Sequence, residues 1–354
     1  MKKIKGMLSC LLAMLIFVSV TSCVQDGNQD NLKELSLYVD SIDGFKVLQF
    51  ADLHFGVEGE DYHNSDIQRS LDFIEYAIQT EKPDFIVLLG DNMMTQGTKG
   101  AEFIVKTFDQ YEIPYTLVFG NHDATSTLPK YKKADVSKYL ETCDSLYLLY
   151  QSGFTQGGKE DRYGNFSISV KNKNTDEILG AFVLIDTGTY DYELEQYQII
   201  NSEQIAWYEA EITRLNEIYL AQQTHAHDTI PSITYGHIPL PEHSEAYQKA
   251  MEGNDCEIIY PQENLGWFPR NSDDDANEYG FFDAMVKMKS AKAYLCGHYH
   301  VMNYHVKMDG IILGFCPQSA VTGNSSRKLK TFSYTLDENF NMELKLITEP
   351  SKGQ

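Results

Sequence analysis

Apolar positions along the chain recur with two periods, and the switch between them sets out the first half of the fold. Phe45 to Phe50 is a short run apolar enough for a buried strand. After a polar stretch, Ser65 to Thr80 places Ile67, Leu71, Ile74 and Ile78 at helical spacing. Phe85 to Leu89 is a continuous apolar strand, Ala101 to Asp109 a helix, and Tyr115 to Phe119 a further strand. Strands alternating with helices in this way imply parallel pairing, with helices laid over the sheet. Strands are predicted again at Asn165 to Val170 and Ala181 to Ile185. A helix follows from Ser202, its expected N-cap, to about Leu220, with Ile205, Tyr208, Ile212 and Leu215 on one face. Ser232 to Tyr235, Ala293 to Leu295, Met302 to Val306, Ile311 to Phe315, Lys330 to Thr335 and Met342 to Ile347 supply the remaining strands. Neither a repeat nor an internal linker interrupts the pattern. It predicts one α/β domain over residues 41–350, with residues 240–280, where periodicity is poor, as an insertion near the site.

The N-terminus reads as a targeting segment. Lys2, Lys3 and Lys5 precede an apolar run from Met7 to Val20, too short for a comfortable membrane span. The run ends in Val20-Thr21-Ser22-Cys23, which resembles the bacterial lipobox and is preferred to a secretory signal with an incidental cysteine. Residues 1–22 would then be removed, a lipid on Cys23 would anchor the chain to a membrane outside the cytoplasm, and polar residues 23–40 would serve as a tether. Cys143, Cys256, Cys296 and Cys316 remain for the folded part. They are expected as buried free thiols or at most one bridge, because the compartment permits disulfides and the spacing demands none.

Charge narrows the chemistry. With 354 residues and 42% hydrophobic content the chain can bury a full core, but its formal charge is −22. Such a surface repels nucleic acid and anionic membranes, so a phosphate-bearing ligand must be held by local positive charge, which metal ions can supply.

Five short motifs follow predicted strands, where loops at the carboxyl edge of an α/β sheet converge. They are Asp52-Leu53-His54, Gly90-Asp91-Asn92, Gly120-Asn121-His122-Asp123, Gly236-His237 and Gly297-His298-Tyr299-His300. Carboxylate, amide oxygen and imidazole suit iron, manganese or zinc, and no thiolate belongs to the set. Two such ions can clamp the attacking and leaving oxygens of an in-line displacement, provided a carboxylate bridges them.

In this order the motifs resemble the calcineurin-like metallophosphoesterases, a superfamily that includes the purple acid phosphatases and the Ser/Thr protein phosphatases. The resemblance spans Asp52 to His300. It implies a four-layer α-β-β-α sandwich with two mixed central sheets, and hydrolysis of a small phosphomonoester or phosphodiester by a bridging hydroxide between two metal ions. Asp52, His54 and His300 would hold the first metal, Asn121, His237 and His298 the second, and Asp91 would bridge. His122 would protonate the leaving alkoxide or steady the phosphoryl oxygens, with Asp123 orienting its ring. Met94 stands where the purple enzymes carry the tyrosine that colours their iron, so that centre is not expected. The stretches from Ala51 to Gly56, Gly120 to Asp123, His237 to His243 and Cys296 to His300 resemble the Dcr2-like branch in particular.

Weaker features read more plainly. His225-Ala226-His227-Asp228 is a solvated loop rather than a second metal cluster, and Asp273-Asp274-Asp275 lacks the ligand alternation and glycine of a calcium loop. Trp267, Phe268 and Arg270 offer an aromatic surface and a guanidinium to a substrate, against the simpler reading that the two rings pin a loop. His243 and His63 are minor candidates for the rim of the cleft. A non-catalytic surface lipoprotein that keeps the fold is the rival reading, and it would be expected to have lost ligands; none of the motif positions is missing. A carbohydrate-capture lipoprotein would show aromatic-rich helical repeats, which are absent from the sequence.

Overall fold

A computed structural model describes residues 34–351, apart from 57–63, 95–96, 124–131, 159–160, 192, 194, 199, 225, 264–279 and 322–326. The chain runs through β1 (Leu35–Val39), β2 (Phe45–Phe50), α1 (Asn64–Glu81), β3 (Phe85–Leu89), α2 (Thr98–Asp109), β4 (Tyr115–Val118) and α3 (Lys133–Thr142). It continues with β5 (Phe154–Gln156), β6 (Arg162–Asn172), β7 (Ile178–Leu184), β8 (Tyr190–Asp191), β9 (Gln196–Tyr197), α4 (Ser202–Leu220), β10 (Ser232–Tyr235) and α5 (Glu242–Met251). Last come β11 (Glu257–Tyr260), α6 (Phe281–Met288), β12 (Ala291–Cys296), β13 (His305–Met308), β14 (Ile311–Phe315), β15 (Lys330–Leu336) and β16 (Met342–Thr348).

These strands form two mixed sheets and a separate two-stranded hairpin, β8-β9. In the smaller, ordered β16-β15-β2-β3-β4, the three parallel strands are those predicted by the strand–helix alternation. The larger is ordered β1-β6-β7-β10-β12-β14-β13-β11, with β5 beside β6. The sheets meet face to face through aromatic side chains. Phe182 of β7 stacks on Phe85 of β3, with ring centroids 5.3 Å apart, and the hydroxyls of Tyr235 and Tyr334 join β10 to β15 by a hydrogen bond. Ile74, Ala77, Ile104 and Phe108 of α1 and α2 cover the outer face of the small sheet, while Tyr208, Ala246, Phe281 and Met285 of α4, α5 and α6 pack against the large one. The four layers follow from two sheets, each apolar on both faces.

Several boundaries move. β1 lies within the span assigned to the tether, because Leu35, Leu37 and Val39 alternate inward and the strand pairs in parallel with β6. The domain therefore begins at about residue 35 rather than 41. Asn201 caps α4 in place of Ser202: its side chain accepts from the amides of Glu203 and Gln204, and the Gln204 side chain returns a bond to the Asn201 amide. The strand expected at Met302 to Val306 starts at His305. The described part of the 240–280 insertion is built into the fold, since α5 buries Ala246 and Tyr247 and β11 pairs with β13. All four cysteines are free thiols; Cys296 and Cys316 are buried, Cys143 and Cys256 only half-buried. Among the described residues no helix is long and apolar enough to cross a membrane. The targeting segment and Cys23, His63, His225, the Trp267–Arg270 group and the Asp273–Asp275 run lie outside the described residues.

Candidate active site

Five loops that leave β2, β3, β4, β10 and β12 at their carboxyl ends meet between the two sheets. Their backbones are tied to one another: Asp52 N–H donates to Gly90 O, His54 N–H to Asp91 O and Gly297 N–H to His237 O. Turning this sharply at a strand end requires unusual backbone. Asp52, His54, Asp91 and His298 all have positive φ, between 46° and 68°, a conformation that costs side-chain-bearing residues about 1–3 kcal/mol each and concentrates at functional sites. The glycines of the motifs serve close approach. A Cβ on Gly90 would stand 2.5 Å from the His237 ring, and one on Gly120 would stand 2.1 Å from the Asp91 amide nitrogen.

All seven candidate ligands converge here. Asp91 Oδ2 lies 3.3 Å from His237 Nε2 and 3.6 Å from His54 Nε2, between the two halves of the site. Asp52 Oδ1 lies 3.4 Å from His300 Nε2, and the Nε2 atoms of His54 and His300 are 3.2 Å apart. Asn121 Oδ1 is 3.1 Å from His237 Nε2 and 3.0 Å from His298 Nδ1. Asp52, His54 and His300 could share one ion, as could Asp52, Asp91 and His237.

The donor set fits a cation on three counts. First, Asp52 Oδ1 is fully buried without a hydrogen-bond partner, a costly state for a charged oxygen unless a cation sits beside it. Second, two buried carboxylates are ringed by imidazoles. Third, the imidazoles are turned with their lone pairs inward. His237 Nδ1–H donates to Leu89 O at 2.8 Å, and His54 Nδ1 lies 3.1 Å from Met94 Sδ, an acceptor only, so in the neutral form of both rings Nε2 is the nitrogen left to bind a cation.

Protonation follows the same charges. Burial lowers the His54 imidazole to about 4 against the opposing pull of Asp91 and Asp52. Burial would also lower His237, but the Asp91 carboxylate and its hydrogen bond raise it to about 9. Burial, reinforced by His237, takes His298 down to about 3. Burial works to raise Asp91, yet the surrounding histidines, His237 foremost, hold it well below the ordinary carboxylate range.

His122 is exposed at the cleft, its ring 5.3 Å from that of His54 and its N–H donating to Asp91 Oδ1 at 2.7 Å. Asp123, given the task of orienting that ring, is fully buried and accepts from the amides of Gly120 and Met93 and the side chain of Asn92. Those bonds clamp the β3 and β4 loops together. Its carboxyl is raised to about 7 by burial and by Asp91, against the pull of the two amides. His243 is not at the rim: it is fully buried beneath the site, Nδ1 bonded to Leu240 O and Nε2 3.5 Å from Cys296 Sγ. Met94, which the motifs marked only as the missing tyrosine, lies against His54, and Tyr197, which belongs to no motif, lies beside His298.

The calcineurin-like phosphoesterase family model matches residues 45–302. A probable inactive purple acid phosphatase 29 of Arabidopsis thaliana is 27% identical over 296 residues, covering 77% of this chain and 71% of its own length. The phosphatase DCR2 of Saccharomyces cerevisiae is 23% identical over 83% of this chain and 52% of its own length. Among solved structures, a dimetal phosphatase from Danio rerio covers 86% of this chain and 99% of its own, with 14% identity and a TM-score of 0.48.

Proposed function

The chain belongs to the calcineurin-like phosphoesterases, and from that premise we propose that it hydrolyses a phosphomonoester or phosphodiester at a dinuclear metal centre. The observation that carries the reading is the position of Asp91 Oδ2 between His54 and His237, with an otherwise complete donor set on either side. Asp52, His54 and His300 would hold one ion and Asn121, His237 and His298 the other, with Asp91 common to both. Ions of iron, manganese or zinc held there supply Lewis-acid neutralisation of phosphoryl charge and an activated water. The chain's own contribution is orientation and proton supply. Met94 and Leu89 O fix the tautomers of His54 and His237, Asp123 locks two ligand loops in register, and Asp91 Oδ1 sets the backbone from which His122 reaches the cleft. His122 then donates a proton to the departing alkoxide, or a hydrogen bond to the phosphoryl oxygens.

A second reading has one observation in its favour: the Arabidopsis relatives, at 25–27% identity, bear the name inactive. It would make this chain a binding protein that keeps the fold. Against it, every donor position is occupied by a competent residue. The test is hydrolysis of p-nitrophenyl phosphate and its bis ester by purified protein with Mn²⁺ or Zn²⁺. Turnover of either ester supports catalysis and tells monoester from diester; metal binding with no turnover supports the binder. We also propose that a lipid on Cys23 holds the enzyme outside the cytoplasm. Cys23→Ser should then release it from the membrane fraction, and an unchanged distribution would refute the anchor.

A further inference from the structure

Beside the ligands stands a hairpin that the proposed chemistry does not use. β8 and β9 pair Tyr190 directly opposite Tyr197, the two rings perpendicular with centroids 5.1 Å apart. Tyr197 in turn lies perpendicular to His298 at 4.8 Å. Both tyrosines are half-buried, so part of each ring remains open to solvent.

The hairpin rises from an unusually polar pedestal. Asp186, at the end of β7, is fully buried and accepts from Lys133 Nζ at 2.9 and 3.2 Å, and the lysine is fully buried too. The same carboxylate takes the amides of Gly188 and Tyr163, while Gln204 binds the Asp186 carbonyl. Gly188 adopts φ +89°, where a Cβ would fall 1.6 Å from the Arg162 guanidinium. Gln198 then bonds Thr189 through both its amide and its side chain, which closes the base of the hairpin. A buried ion pair contributes little net stability over apolar packing, and its best-attested use is to fix one geometry. Here the geometry fixed is that of the two rings at His298.

We propose that Tyr197, backed by Tyr190, is a specificity-determining wall of the substrate site, selecting phosphate esters whose organic group is planar and unsaturated. This rests on the phosphoesterase reading. On that reading His298 is one of the metal donors, and a half-buried ring 4.8 Å from it stands at the edge of the site, where the organic group of a bound ester would lie. A planar group gains offset or edge contact with the tyrosine beyond simple area burial, equivalent to roughly threefold to tenfold in affinity, whereas a saturated group does not.

The test uses phosphonates, which carry no scissile ester bond. Phenylphosphonate and methylphosphonate are titrated into Mn²⁺-loaded protein by calorimetry. Wild type and Tyr197→Phe should prefer phenylphosphonate by about threefold to tenfold, and Tyr197→Ala and Tyr197→Leu should reduce the preference below about twofold. The leucine variant, which keeps apolar bulk, guards against misfolding of the alanine one. No preference in wild type, an undiminished preference in the variants, or equal weakening of both ligands would overturn the inference, the last showing that Tyr197 only steadies His298. Because binding is read without turnover, failure to hydrolyse any ester would count against the enzymatic reading alone.

Discussion

Replacing Asp91 by Asn changes the centre of the site with the least disturbance of shape. The amide oxygen can still accept from the His122 N–H, as Oδ1 does at 2.7 Å. What is lost is the second oxygen, 3.3 Å from His237 Nε2 and 3.6 Å from His54 Nε2, which becomes an NH₂ group that cannot bind a cation. Removing one charged partner from a buried pair typically costs about 3–5 kcal/mol. At 1.4 kcal/mol per decade that is roughly 10²- to 10⁴-fold weaker metal binding. Calorimetric titration of metal-stripped protein with Mn²⁺ measures it. A second signature follows from the His237 proton. With the imidazole raised to about 9 by Asp91, metal-free wild type carries that proton at neutral pH, and a metal must displace it. Binding should therefore release a proton, visible as a dependence of the observed heat on buffer ionisation, and should tighten as pH rises. In Asp91→Asn the largest upward influence on His237 is gone, leaving Asp52 and Leu89 O to oppose burial, so the proton release should shrink. Affinity for Mn²⁺ within threefold of wild type would refute the assignment of Asp91 as the shared ligand.

Three further outcomes are expected. His122→Ala should lower kcat by about 10²–10⁴ while changing Mn²⁺ affinity far less, because the residue is exposed at the cleft and its bond to Asp91 comes from the backbone N–H, which alanine keeps; calorimetry and steady-state kinetics separate the two. Asp186→Ala should destabilise the protein by about 3–5 kcal/mol in denaturant unfolding by leaving the Lys133 ammonium buried and unpaired, and Lys133→Met/Asp186→Leu should recover only part of the loss, because the amides of Gly188 and Tyr163 stay without their acceptor. His305 is fully buried and its imidazole is pushed down to about 3 by burial. The unfolded chain therefore takes up a proton near pH 6.5 that the folded chain refuses, and stability present above that pH is lost as pH falls toward 3. His305→Leu should remove about 1.4 kcal/mol per pH unit from the slope of stability between pH 6 and 4, and an unaltered slope would contradict the buried neutral state.

Motif reading brought together the candidate ligands because each is local. A strand end, a tight turn and a donor are consecutive in sequence, as in Gly90-Asp91 or Gly297-His298, and the parallel strands bring those turns together. The strands between them were legible for the same reason: Phe85–Leu89 is apolar throughout because both of its faces are covered. What the sequence hides is contact between distant positions. Nothing local marks Tyr197 as the neighbour of His298, and the two-residue strands that carry it are too short for any period. Lys133 and Asp186 are 53 residues apart, in a region where a charged pair would ordinarily be assigned to the surface. β1 alternates correctly but follows a polar stretch, which masked it. His243 misled in the opposite direction, since a histidine near ligand motifs reads as a rim residue until the fold buries it against Cys296 and Phe315.

The proposed mechanism stands on these seven side chains holding two ions and on hydrolysis needing both. It is tested most directly by following p-nitrophenyl phosphate and bis-p-nitrophenyl phosphate turnover as Mn²⁺ or Zn²⁺ is titrated into chelator-stripped protein, with bound metal counted by elemental analysis. The account predicts negligible activity without metal and a rise that levels off at two ions per chain. Turnover that is undiminished after stripping, or protein that binds two ions and hydrolyses neither ester, would contradict it.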